Sequence, residues 1–215
     1  MSKRLIKDTE NFVKDKLANE GSGHDWWHIH RVRENARRIN KAEKGNWLII
    51  ELATLLHDVG DKKVLKEKED DYSIAENYLK GKKVQLETIK RVMSIIKSMS
   101  FRHSLVNKSV EKSKEFAVVQ DADRLDAVGA IAVARVFTYG GNRNRPLYNP
   151  NLKMKKLTNS NYEKGYQSSL HHFWEKLFLL KELFNTKYAK KLALKRHKYM
   201  EGFVRQFLLE WDGKL

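Results

Sequence analysis

Pro146 and Pro150 are the only prolines in a chain of 215 residues. Proline removes a backbone donor and clashes with the preceding helical turn, so a chain that confines it to one stretch is free to run long helices everywhere else. Sustained period-two alternation, the mark of a half-buried strand, is absent, whereas apolar residues recur at three- and four-residue spacings along most of the chain. This periodicity predicts helices at about 3–18, 25–44, 47–58, 71–80, 85–99, 115–137, 160–184 and 188–211. No Pro/Gly/Ser-rich linker divides them. The expectation is one all-α domain over residues 1–215, built from about seven to eight helices.

Composition narrows the class. Apolar residues make up 41% and aromatics 10%, which excludes global disorder. Cysteine is absent, which excludes a disulfide scaffold, an iron–sulfur centre and a thiolate zinc site. No apolar run approaches the length of a membrane span. The start, MSKRLIKDTENFVKDK, mixes both charge signs and has no apolar core of a secretion signal. A cytoplasmic, soluble protein with no membrane partner is expected, and oligomeric state is left open.

Charge points to an anionic partner. Forty-three Lys and Arg against 27 Asp and Glu give a net charge of +16 and an isoelectric point near 9.8, favouring phosphorylated small molecules or nucleic acid. Residues 139–198 hold fourteen basic and three acidic residues. A solvated lysine surface explains part of this excess, including Lys190, Lys191, Lys195 and Lys198. Three segments read as loops: 60–70, 100–113 and 139–159. The last contains Gly-Gly, both prolines, five basic residues (Arg143 and Arg145 among them) and no acid. A loop of that length in a folded domain is usually functional, and its chemistry fits a lid or substrate contact.

Three helices each aim metal-ligand side chains inward. On HDWWHIHRVRENARRIN, taking about 100° per residue, Val32, Asn35 and Ile39 fall within about 40° of His28, so His28 lies on the inward stripe while His30 faces away. His24 precedes His28 by one turn and could approach the same point, although His24-Asp25 also reads as a helix start with Asp25 at the N-cap. WLIIELATLLHDVGDKK is apolar nearly all round and ends in His57-Asp58. Buried imidazole and carboxylate are costly unless paired or ligated, and side chains about 100° apart suit two adjacent positions on one ion. A hydrogen-bonded core histidine followed by a terminal charge would also satisfy this dipeptide. On EFAVVQDADRLDAVGAIAVARVF, Asp123 follows Val119 by four residues and precedes Ala127 by four, which places it on the apolar face. Asp121 and Asp126 point elsewhere, toward supporting or solvent-facing positions.

Two imidazoles, two carboxylates and no soft ligand suit a six-coordinate divalent ion with open positions rather than a closed zinc site. One such ion is expected, Mn²⁺ first, with Mg²⁺, Fe²⁺, Co²⁺ or Ni²⁺ as alternatives. An anionic substrate would then need further cations, which Lys62, Lys63, Arg124 and the 139–159 loop could supply.

The set His28-x-x-Arg31-Val32, His57-Asp58 and Asp123 within DADRLD resembles the HD-domain metal-dependent phosphohydrolases. GHDWWHIHRV, LLHDVGDKK, QDADRLDAVGAIAVARVFTYGG and the later HHFWEKL…MEGF…EW are similar to a bacterial subfamily that hydrolyses nucleotides, some members being nucleotide pyrophosphohydrolases. The likeness runs from about residue 21 to 212. It implies an all-α HD-type fold and metal ligands at His28, His57, Asp58 and Asp123. Asp61 stands where related nucleotidases carry a glutamate that handles the attacking water, one methylene shorter here. Lys62 matches a basic position in the close relatives. The implied reaction is metal-assisted hydrolysis of a nucleotide, a nucleoside triphosphate to monophosphate and pyrophosphate. Asp61 and Lys62 take the catalytic roles, and Lys63, Arg124, Arg143 and Arg145 are the candidate phosphate contacts. His24, Asp25, Arg31 and Asp121 are candidates to support the metal-binding side chains. The alternatives are a nucleic-acid-binding protein or nuclease, for which no helix-turn-helix, zinc-finger or RNA-recognition signature is seen, and a non-catalytic sensor of a phosphorylated ligand.

Overall fold

The residues that dominate the fold are those of WLIIELATLL, buried from Ile49 to Leu56 without interruption. In the computed structural model, which describes residues 2–18, 23–65, 71–100, 113–153 and 168–215, this segment is a helix packed on every side by others. No strand occurs among the described residues, so the all-α expectation holds. By its internal packing the chain divides into Met1–Asp123 and Arg124–Leu215.

The first unit contains α1 (Ser2–Lys16), α2 (Trp26–Glu43), α3 (Trp47–Leu56), the single turn α4 (Lys62–Leu65), α5 (Ser73–Gly81), α6 (Leu86–Ser98) and most of α7 (Lys114–Asp126). Helix α3 is the hub and packs against α1, α2 and α6. The starts of α2 and α3 have local causes. Asp25 caps α2, its Oδ1 accepting the His28 N–H at 2.9 Å. Asn46 caps α3, accepting from Leu48 and Ile49. Such caps satisfy amides that no helical carbonyl can reach. Arg33 on α2 clamps α1 to α3: its Nη1 donates to Glu10 at 2.6 Å and its Nε to Glu51 at 2.9 Å. Burial alone would lower the guanidinium's pKa, but these two carboxylates raise it.

The second unit contains α8 (Ala130–Asn142), the single turn α9 (His172–Glu175), a 3₁₀ segment (Leu177–Leu183) and α10 (Lys187–Trp211). Helix α10 packs on α8 and the 3₁₀ segment. Phe137 of α8 meets Phe203 and Phe207 of α10 with ring centroids 5.9 and 6.3 Å apart, and Phe173 joins Phe203 at 5.9 Å. Thr186 caps α10 by accepting from Ala189.

Two expected helices differ from those observed. The single helix predicted over 115–137 is broken between α7 and α8 at Gly129, whose φ of 93° is left-handed and whose Cβ position lies 3.1 Å from Arg196 Cβ. Glycine takes this φ without the steric cost a Cβ would add, so the helix breaks here. In 160–184, residues 160–167 lie outside the described residues, and the remainder is a turn, α9 and the 3₁₀ segment, separated at Lys176, where φ −139° and ψ −55° leave the helical region. The predicted loop 60–70 contains α4, and that at 139–159 begins four residues late because α8 runs to Asn142. Residues 66–70, 101–112 and 154–159 of the three loop readings lie outside the described residues.

Candidate metal centre

His28 is fully buried on α2, as its place on the inward stripe predicts. Its backbone is fixed by the Asp25 cap, so Asp25 acts on the His28 main chain. Helix α3 ends at Leu56; His57 is its C-cap and Asp58 lies in the following turn. The His57 Nδ1 sits 2.8 Å from the Thr54 carbonyl. A carbonyl can only accept, so Nδ1 carries the proton of the neutral ring and Nε2 presents its lone pair. That Nε2 faces inward.

Four side chains meet there. His28 Nε2 is 3.3 Å from His57 Nε2, 3.3 Å from Asp58 Oδ2 and 3.5 Å from Asp123 Oδ1. His57 Nε2 is 3.5 Å from Asp58 Oδ1 and 3.9 Å from Asp123 Oδ1. Donors about 2.1 Å from one ion and at right angles are about 3 Å apart, close to these separations. Among the described residues His28, His57 and Asp123 form one group able to hold an ion, and His24, His28 and Asp58 a second that shares His28. The residues fit a divalent ion on three grounds: convergent spacing, a His57 tautomer set by the backbone, and two carboxylates to offset the charge.

Asp58 is the buried carboxylate of the set. Burial pushes its carboxyl pKa up, but the neighbouring His57 and His24 rings, with hydrogen bonds from His24 and His28, hold it well below the usual carboxylate range. It is therefore an anion at neutral pH, the form that binds a cation. The His24 bond is a close one: Nδ1 lies 2.9 Å from Asp58 Oδ2. Asp123 is the exposed member, with 34% of its side chain open to solvent, so the centre is reached from the Asp123 side.

The surrounding candidates divide. Asp121 is fully buried and Asp126 is buried against Arg135 at 3.0 Å, so of the two places read for them, supporting or solvent-facing, the solvent-facing one does not hold. The reason is that α7 is enclosed almost all round, from Val118 to Asp126 with Asp123 excepted, and angular position on such a helix does not separate inside from outside. Asp61 follows the Asp58 turn, its amide donating to the Asp58 carbonyl at 3.1 Å and its own carbonyl starting α4. Lys62 and Lys63 form the first residues of α4; their side chains lie outside the described residues. Arg31 is half-buried on α2. Arg124 is buried, its guanidinium donating to the Leu183 carbonyl. Arg143 and Arg145 lie just beyond α8, with guanidinium carbons 5.6 and 5.3 Å from the Tyr139 ring centre.

Two contacts that position the site carry no motif. Asn35 is buried and its Nδ2 donates to the Ala122 carbonyl at 3.2 Å, tying α2 to the residue before Asp123. Glu115 accepts the Asn46 amide at 2.7 Å and pairs with Arg91 at 2.9 Å. A polar residue on the His28 stripe was the one available signal for Asn35.

A helical scaffold that brings two imidazoles and two carboxylates to one point defines a divalent-metal hydrolase. The comparisons agree. Residues 26–128 match the HD domain family model. YpgQ of Bacillus subtilis strain 168, itself uncharacterized, is 38% identical over 210 residues, covering 98% of this chain and 95% of that protein. A solved Lactobacillus plantarum protein is 35% identical over 99% of both chains with a TM-score of 0.89. An HD-superfamily hydrolase from Bacillus thuringiensis is 41% identical over 99% of both, with a TM-score of 0.75. YpgQ has also been solved in complex with ADP, at 34% identity over 94% of this chain and 95% of that one and a TM-score of 0.74. This chain belongs to the HD-domain metal-dependent phosphohydrolases. No helix among the described residues is long and apolar enough to cross a membrane.

Proposed function

We propose that the chain hydrolyses nucleotides, cleaving a nucleoside triphosphate to its monophosphate and pyrophosphate, with one divalent ion, Mn²⁺ by preference, held by His28, His57, Asp58 and Asp123. The observation that carries the reading is the convergence of those four side chains beside an open edge at Asp123. The nucleotide class is supported by the ADP complex of YpgQ and by the basic character of the chain, +16 overall. Bound there, the ion supplies Lewis-acid polarisation of a phosphoryl oxygen and a lowered pKa for water.

The chain's own residues do the rest. Water attacks the α-phosphorus, the P–O bond between the α-phosphorus and the oxygen bridging to the β-phosphorus breaks, and the water proton passes to the Asp61 carboxylate. Lys62 and Lys63, next in sequence, neutralise charge that spreads over the phosphoryl oxygens. Thr54 holds the His57 tautomer through its carbonyl, and His24 orients Asp58 by donating from Nδ1. Both contacts are made before substrate arrives, so the donors need no reorganisation.

The test is a panel of nucleoside mono-, di- and triphosphates with metal-stripped protein and added Mn²⁺, Mg²⁺, Co²⁺ or none, products resolved by chromatography. Metal-dependent pyrophosphate and monophosphate from triphosphates, lost in Asp58→Asn, is the expected result. Orthophosphate from monophosphates would move the assignment to a nucleotidase. Turnover that survives in Asp58→Asn would reject the site.

A further inference from the structure

Helix α10 carries a face that the phosphohydrolase reading does not use. Lys187, Tyr188, Lys191, Leu194, Lys195, Lys198, Tyr199 and Arg205 are all exposed. At about 100° per residue they fall within an arc of about 140° on one side of the helix. Its acids stand outside the stripe: Glu201 is turned to His197 at 3.0 Å and Glu210 accepts from Gln206 at 2.8 Å. Among the described residues no carboxylate pairs with Lys187, Lys191, Lys195, Lys198 or Arg205. Lys187–Lys191 and Lys191–Lys195 are four-residue neighbours of like charge, an arrangement that weakens a helix unless a partner neutralises it.

The aromatics separate this face from a plain lysine surface. Tyr188 and Tyr199 are eleven residues apart, so they lie within about 20° of each other and about 16 Å apart along the axis; they are 42% and 54% exposed. Tyr199 with Lys195 and Arg196 also walls a pocket of about 320 Å³ whose other side is the start of α8, Val128, Gly129 and Ile131. Apolar and aromatic walls with cations at the rim suit an unstacked nucleobase, a feature that duplexes do not offer.

We propose that this face of α10 binds single-stranded nucleic acid, the cations following the phosphates, Tyr188 and Tyr199 stacking on bases and one base entering the pocket beside Tyr199. Lys187 to Arg205 spans about 27 Å, enough for a site of about four nucleotides, at the small end for single-strand binders. This site shares no residue with the metal centre and does not depend on the reading of it.

The test uses the full chain and a fluorescein-labelled 15-mer of deoxythymidylate, with a 15-base-pair duplex beside it, by anisotropy across a salt series. Five phosphate contacts predict a slope of log affinity on log salt of about −3.5 for a single strand. Lys191→Glu/Lys195→Glu/Lys198→Glu should cut affinity at least a hundredfold and flatten the slope by about 2. Tyr199→Ala should cost about tenfold with the slope unchanged. The triple variant should keep the parent's melting curve and whatever metal-dependent hydrolysis the parent shows, which separates lost binding from lost folding. The charge-matched triple Lys3→Glu/Lys41→Glu/Lys90→Glu, on exposed positions of the first unit, should bind nearly as the parent does. Equal loss in that control would mean bulk charge alone. Duplex affinity matching the single strand, loss of binding in Asp58→Asn, or no binding at 25 mM salt would each overturn the proposal.

Discussion

Glu115→Gln tests whether one buried carboxylate holds together the helices that carry the metal-binding side chains. Glu115 sits on α7, eight residues before Asp123. Its Oε1 accepts the amide of Asn46, the residue that caps α3, and its Oε2 meets Arg91 of α6. A hydrogen bond from a backbone amide to a charged acceptor contributes about 1.5–3 kcal/mol. The Arg91 partner is 42% exposed, so that pair adds at most about 1 kcal/mol. Glutamine keeps the shape and a neutral bond of about 1 kcal/mol, which leaves an expected loss of about 1–2 kcal/mol. For a chain of this length that lowers the melting temperature by about 2–8 °C.

The pH dependence is the sharper test. Burial alone would raise the Glu115 carboxyl pKa, but the Asn46 amide, its own backbone amide and Arg91 bring it below the ordinary 4.5. A depressed carboxylate contributes stability that is present above the unfolded-state pKa and is lost as pH falls through the folded value. The gap between wild type and Glu115→Gln should therefore be full at pH 7 and shrink progressively as pH falls below 4.5. Urea unfolding followed by far-UV circular dichroism at pH 7, 5, 4 and 3.5 measures it. A gap of constant size across that range would refute the charge-based account and leave only a loss of shape.

Three other perturbations follow from the same structure. Saturation with Mn²⁺ at about a hundred times its dissociation constant should stabilise the wild type by about 2.7 kcal/mol, read as a rise of about 5–10 °C in scanning fluorimetry; His57→Ala should abolish the rise, and an unchanged shift would place the ion elsewhere. Arg33→Met strands Glu10 and Glu51 without their shared cation, a loss of about 3–5 kcal/mol, and Arg33→Met/Glu51→Leu should recover part of it in denaturant titrations. Additive losses in the double variant would contradict the clamp. Gly129→Ala forces a left-handed φ of 93° on a residue with a Cβ, 3.1 Å from Arg196 Cβ, and should cost about 1–3 kcal/mol; a neutral effect would mean that the α7–α8 break is not fixed by this glycine.

Much of this protein is legible in one dimension because its determinants are local. Two clustered prolines and a three-to-four-residue apolar period predict helices, and the Asp25 cap and the inward face of His28 follow from spacing alone. The four side chains of the candidate metal centre are also readable as ligand-type residues on, or at the end of, inward-facing helices. Their meeting is not, because His24 and Asp58 are 34 residues apart in sequence and Asn46 and Glu115 are 69 apart, and no periodicity relates positions on different helices. The wheel left Asp121 and Asp126 between a supporting and a solvent-facing place for a related reason: angular position separates the two only on a helix with one wet face, and from Val118 to Asp126 every residue but Asp123 is buried. Sequence by itself determined the helical class, the Asp25 cap and the residue types offered as ligands, since those depend on the chain within a turn or two. Only the tertiary structure decided which histidine tautomer faces the centre, which carboxylate opens to solvent and which buried pairs hold the helices in place, because those depend on distances set by packing.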